Sequence, residues 1–389
     1  MTHVDQVDRT SRPPLWRDVR VLSWAFQLAV LAIVVAIVVV LASNVQANSE
    51  RLGIPTGWDY LDNPAQFPIP DSDFDQRQPL SDAIVLGFFN TLRVALVGIV
   101  LATVLGTIIG VARLSGNWLV RALARVYVEI LRNVPLLYII VFSYIGIALA
   151  TFPRIESAWE PLGLAVVSNR GLSVPWLEGS AGALLLTLLV AGLAAFAAKR
   201  WRDALSDRTG VPARSLLWSF GVALAVMVAG TVLAGATFSV PDLDGRLVSG
   251  GIRLSPEFFA ILFALVIYTA SHIAEIVRGS IQAVPKGQNE AAEAIALTST
   301  QRLRFVVLPQ AFRIAVPPLG NQYLNLTKNS TLGTVVSYYE LAQVTRIGIA
   351  NGAPAVPSWL LTLGIFLALS LVLSALVNIV NRRLALVES

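Results

Sequence analysis

Chemistry on substrates needs nucleophiles, proton donors or metal ligands brought together, and this chain is poor in all three. It has no cysteine and only two histidines, His3 and His272. Thiolate, disulfide and histidine-metal chemistry therefore drop out. None of the lysines, Lys199, Lys286 and Lys328, follows a glycine, so there is no Gly-Lys-Ser/Thr loop to cradle a phosphate. If ATP drives this protein, another chain binds it, and no cofactor is expected here. What remains is recognition, concentrated in residues 275–309 and 321–329.

The first stretch lies between two membrane segments and carries Arg278, Lys286, Arg302 and Arg304, the mark of a cytoplasmic loop. Pro285 and Gly287 make a turn, Asn289 is placed to cap a helix, and Glu290 and Glu293 then fall in its first turn. Ala291, Ala292, Ala294 and Ala296 keep that helix smooth and narrow, a shape that enters a groove on another protein at little side-chain entropy cost. Thr298 with Gln301 has capping-box spacing and opens a second short helix, expected to end before Pro309. A lipid-lying amphipathic helix fits less well, because the two glutamates would face anionic headgroups and the apolar face has no Trp or Phe.

In the second stretch Asn321, Asn325, Lys328 and Asn329 fall at i, i+4, i+7 and i+8, one face of a helix. Pro317, Pro318 and Gly320 just before them imply a kinked or interrupted membrane helix. A polar stripe on such a helix either lines a passage or glues helices together. Lys328 weighs toward the passage, since a membrane lysine costs about 3 kcal/mol and normally faces a cavity or partner.

The elements that hold these stretches are membrane helices. Of 389 residues 55% are hydrophobic and 14% charged, the mean hydropathy is +0.68, and soluble-domain counting does not apply. The net charge of +5 is dispersed in short loops, as in a polytopic membrane protein and unlike a nucleic-acid-binding face. Eight spans are expected, at 21–42, 88–112, 134–150, 181–198, 216–236, 256–274, about 310–334 and 358–380. The tail 1–20 is then cytoplasmic, the acidic segment 43–85 exported, and both termini inside. The run 21–42 is too long, and followed by too many further spans, for a cleaved signal peptide. Within the second span Gly98, Ala102, Gly106 and Gly110 recur every fourth residue, a stripe for close helix packing. Glu129 and Arg132 are spaced to pair on one helical face, and His272 reads as a helix contact.

Glu290-Ala291-Ala292, three residues, Ala296, nine residues, Val306, one residue and Leu308-Pro309 resemble the EAA loop of ABC-importer permease subunits. The family has Gly where Ala296 stands and often Ile at Val306; alanine is expected to keep the helix and resist a sharp kink there. The run from Tyr127 to Leu137 resembles the signature before the third helix of polar-amino-acid importers, and Leu308-Pro309-Gln310-Ala311 and Lys328-Asn329-Ser330-Thr331-Leu332 reinforce it. The resemblance implies an all-α polytopic membrane protein with a five-helix type I ABC-importer core (spans two, three, six, seven and eight). The permease domain would occupy 86–384 with an inserted helical hairpin at about 151–255. It further implies one permease of a general L-amino-acid importer in a bacterial inner membrane, paired with a homologous permease, ATPase subunits and a periplasmic binding protein. ATPase coupling would fall to Glu290, Ala291, Ala292, Ala296, Leu308 and Pro309. A self-contained secondary carrier is the alternative; it would need an ion-coupling carboxylate within its spans. An enzyme would need a convergent catalytic set, which is absent.

Overall fold

The computed structural model describes residues 18–53, 57–210 and 214–384, so His3, most of the tail 1–20 and the last five residues lie outside the description. The expected spans appear as helices α1 (Val19–Leu52), α2 (Leu80–Ala112), α4 (Leu136–Val141) continued by π-helical Phe142–Leu149, α5 (Ala181–Thr209), α6 (Ser215–Leu233), α7 (Pro256–Gln282), α10 (Leu308–Asn329) and α12 (Ala355–Leu384). Between α2 and α4 lies α3 (Trp118–Asn133), bent 106° from the helix that follows it. The turn is at Val134-Pro135, where proline disfavours helical geometry in the residue before it. Among the described residues five helices are long and apolar enough to cross a membrane, and the bent pair makes a sixth. Helix α6 is shorter, and the polar residues of α10 lower its hydropathy.

The parallel pair α2 and α7 forms the centre. The small-residue stripe lies at their contact: a Cβ on Gly106 would come within 2.8 Å of the Ala270 carbonyl oxygen, and one on Gly110 within 2.7 Å of that of Ala274. Packing is thus what the stripe does. Ile140, Ile261, Leu265, Ile273 and Leu326 are buried around this pair. Helix α10 runs antiparallel to α2, with the Thr103 and Tyr323 hydroxyls 3.0 Å apart, and α12 packs over Gly320. Pro317 and Pro318 do not interrupt α10, whose irregular stretches lie instead at its ends, π-helical Leu303–Val307 before it and 3-10 helical Ser330–Val336 after it. His272 meets the ring of Tyr268 edge-on at 4.7 Å.

Charge marks how this bundle sits. Arg93 and Arg113 on α2 are twenty positions apart with no charge between them, and Glu257 and Glu275 on α7 are eighteen apart. At about 1.5 Å per residue these separations match the roughly 30 Å hydrocarbon core. The loop after α7 lies beyond one boundary and a β-rich layer beyond the other.

That layer was not foreseen. The insertion is a helical hairpin carried on short strands: β1 (Val166–Ser168), β2 (Gly171–Val174) and β7 (Ile252–Leu254) form one antiparallel sheet, β3 (Trp176–Glu178) pairs β4 (Thr237–Ser239), and β5 (Asp242–Asp244) pairs β6 (Leu247–Ser249). Gly171, at φ +125°, leaves no room for a Cβ against the Leu254 carbonyl. The strands before and after the hairpin thus close on each other, while α5 and α6 pack mainly on one another. The acidic segment also differs from expectation. Helix α1 continues to Leu52, and beyond it Tyr60, Phe67 and Ile69 are buried against Leu80, Ile84, Leu341 and Val344. There α11 (Leu341–Ala350) is capped by Glu340, whose carboxylate accepts from the Ala342 and Gln343 N–H groups. Burial pushes that carboxyl up to about 7 against the pull of the two donors.

Candidate functional site

The loop after α7 folds as α8 (Lys286–Ala294), a sharp reversal, and α9 (Ser299–Arg302) leading through Leu303–Val307 into α10. Pro285 is the N-cap and Lys286 the first helical residue. Asn289 is therefore inside the helix instead of capping it, and Glu290 and Glu293 lie past the first turn. A proline at that position presets φ and pushes the helix start forward.

The reversal corrects the reading of Ala296. The Leu297 N–H donates to the Ala292 carbonyl and the Ala296 N–H to that of Glu293, a Schellman ending that requires a left-handed residue between them. Ala296 is that residue, at φ +58°. It ends the helix instead of continuing it, and adopts the conformation for which the family's glycine has no steric penalty. The Thr298–Gln301 capping box forms as expected. The second helix, however, does not end before Pro309: the chain stays helical through Val307, and Pro309 follows directly on the π-helical stretch as the second residue of α10.

Two contacts fix α8. Arg302 Nη1 pairs with Glu293 Oε2 at 2.9 Å, tying it to α9, and Gln310 Nε2 donates to Gln288 Oε1 at 3.3 Å, tying it to α10. Ala292 is 3% exposed and packs inward, so it supports the helix and is not on its outer face. That face carries Glu290, Ala291, Ala294 and Ala296, with Leu308 and Pro309 also exposed further on. It also carries Ile295, 72% exposed, which the sequence reading passed over. A large exposed aliphatic between two alanines is the signal that could have found it.

The loop is anchored to the bundle by charge. The Glu275 carboxylate on α7 pairs with Arg278 one turn on and with Arg113 at the end of α2, while Arg132 of α3 comes to 4.0 Å. Arg132 therefore turns to Glu275, not to Glu129, as expected where a half-buried carboxylate offers the stronger field. The Tyr127 hydroxyl donates to the Ile267 carbonyl at 2.7 Å and fixes α3 to α7. On α10 Asn321, Asn325 and Lys328 are exposed and Asn329 half-buried. The four thus share an open face, away from the α8 surface, and the two sets are not one site. Among the described residues no group of three or more His, Cys, Asp or Glu could hold a metal.

A polytopic helical bundle with a short, small-surfaced helix in the loop at one end and a polar stripe along one member is the make-up of a membrane transport component. Residues 98–386 match the family described as the inner membrane component of binding-protein-dependent transport systems, and the chain belongs to that family. It is 38% identical to the putative amino-acid ABC transporter permease protein YhdX of Escherichia coli (strain K12), covering 94% of this chain and 95% of that one. It is 37% identical to the general L-amino acid transport system permease protein AapQ of Rhizobium johnstonii, covering 93% and 92%. Among solved structures, one of an amino acid ABC transporter with histidines aligns with a TM-score of 0.48 at 19% identity, covering 78% of this chain and 94% of that one. The chain is thus a multi-pass inner-membrane component of a transport system that depends on a binding protein.

Proposed function

We propose that this chain is one permease subunit of an ATP-driven importer of L-amino acids, forming half of the passage and taking its power stroke through α8 from an ATPase on another chain. The observation that carries the reading is the outer face of α8: a short helix with a small-residue surface and one protruding isoleucine, clamped at both ends so that a push on it reaches α9 and α10. The full-length amino-acid permease relatives supply the cargo class. In this reading the α8 end is cytoplasmic, the β-rich layer periplasmic, and both termini lie inside, in keeping with Lys286, Arg302 and Arg304 at one end. The five-helix core would be α2, the α4 span, α7, α10 and α12, with α1 and the α5–α6 hairpin added to it. The α10 stripe would line the passage. An ion-driven carrier would need a coupling carboxylate within its spans, whereas Glu257 and Glu275 lie at the two ends of α7 and Glu275 is already held by arginines.

Transport coupling requires the loop to contact the ATPase differently in two states. Ala291→Trp overpacks the docking face while leaving Ala292 and both clamps intact. It is expected to abolish ATP-dependent amino-acid uptake in proteoliposomes and to lose the ATPase on purification, with normal membrane insertion. Uptake at the wild-type rate and normal ATPase recovery in this variant would remove α8 from the coupling role.

A further inference from the structure

The parallel helices α2 and α7 carry matched charges at both membrane boundaries, and the two boundaries are built differently. At the α8 end Arg113 and Glu275 are joined as an ion pair. At the β end the corresponding residues are parted. Arg93 is half-buried and lies 4.6 Å from the centroid of the Phe258 ring; among the described residues it has no carboxylate partner. Glu257 accepts at Oε1 from the Tyr144 hydroxyl at 2.9 Å, and among the described residues no cation pairs with its Oε2. Between them opens a cavity of about 430 Å³, lined also by Asp71, Asn90 and Ser337.

A guanidinium and a carboxylate facing a shared, partly enclosed space carry a cost unless something satisfies both. Water does so in part. A small zwitterion does so fully, its carboxylate on the Arg93 fork and its ammonium on the free Glu257 oxygen. The cavity is of small-molecule size, and a planar guanidinium suits a carboxylate better than an ammonium would. Asn90 strengthens the fit: its amide nitrogen donates to the Tyr339 carbonyl at 2.9 Å, which leaves its oxygen for a further donor. Asp71 pairs with Arg253 at 3.6 Å, so the outer rim is charge-balanced and the unmatched pair is the inner one.

We infer that the cavity between Arg93 and Glu257 is an α-amino-acid site at the outer mouth of this subunit, recognising the zwitterionic end common to all such ligands. This rests on the amino-acid reading above and adds a place where released cargo is held before it reaches the α10 stripe. Binding that spans both charges should reject ligands that lack either one, because the abandoned protein charge is then buried unmatched.

The test uses the assembled transporter in nanodiscs without its binding protein, dialysed against the twenty L-amino acids and read by mass spectrometry; the same preparation is assayed for ATP-dependent uptake after its binding protein is restored. Wild type is expected to retain at least one amino acid; L-glutamine, if retained, is expected to be lost on replacement by 4-aminobutanamide or glutaramic acid, which lack its carboxylate or its ammonium. Arg93→Gln and Glu257→Gln should each lower retention tenfold or more, with Arg93→Lys recovering part of it and all variants eluting as the intact complex. Uptake without any retention, or retention unchanged in both glutamine variants, overturns the site and leaves the functional reading standing. Retention without uptake of any amino acid overturns the functional reading and keeps the site; absence of both overturns both.

Discussion

Ala296 carries a local cost that its neighbours impose. A left-handed alanine lies about 1 kcal/mol or more above its right-handed form, and the Schellman hydrogen bonds from Ala296 and Leu297 hold it there. Glycine at this position would relieve the strain but lose more entropy on folding, for a net gain of at most about 1 kcal/mol. Ala296→Gly is therefore expected to slow amide hydrogen exchange in α8 a few-fold, and Ala296→Val, branched at a positive φ, to accelerate it by more than tenfold. Equal exchange in all three proteins would mean that the reversal is not held in the left-handed form. The same residue shows where sequence reading stops. Alanine's high helix propensity argues for a continued helix, but propensity is a local quantity, and the turn is set by Thr298, the Arg302–Glu293 pair and the packing of Ala292, none of which a single position reports.

At the scale of elements, the legible features were those with a periodicity. The spans followed from apolar runs, and α10 from a polar face spaced at helical intervals even though its hydropathy is low. The small stripe on α2 was legible because close packing demands small residues at every fourth position, and its consequence can be measured. Gly106→Ala places a methyl against Ile273 and the Ala270 carbonyl, an overpacking of about 1–3 kcal/mol that should lower the melting temperature of the purified protein. Gly364→Ala on α12 meets nothing within 4 Å and should leave it unchanged or raise it by the helix preference of about 1 kcal/mol. Equal effects of the two would deny α2 and α7 their close contact. What was illegible lacked periodicity. The strands around the hairpin are three or four residues long, too short for an alternation to register. Arg132 met Glu275 across 143 positions of sequence, a pairing that helix spacing cannot anticipate.

The whole molecule presents an unfinished surface. Asn321, Asn325 and Lys328 are exposed on α10; if α10 crosses the membrane, as proposed above, an uncovered lysine there costs about 3 kcal/mol, and in the assembly this face would meet a water-filled passage or a second permease. A two-fold symmetric pair would set the same patch of each copy against the other and bring two Lys328 ammonium groups toward one passage with no carboxylate on the stripe to separate them. A homologous but different partner can place an acceptor opposite Lys328 and avoid that repulsion. We therefore expect a heterodimer. Two copies of this chain bearing different affinity tags, co-expressed with the rest of the transport system and purified through one tag in mild detergent, should yield a second homologous permease in about equal amount and none of the copy carrying the other tag. Recovery of both tags together, without a second permease, would establish a homodimer. The stripe would then have to hold two facing lysines apart across an open channel, and Lys328→Ala would be expected to stabilise the complex instead of weakening it.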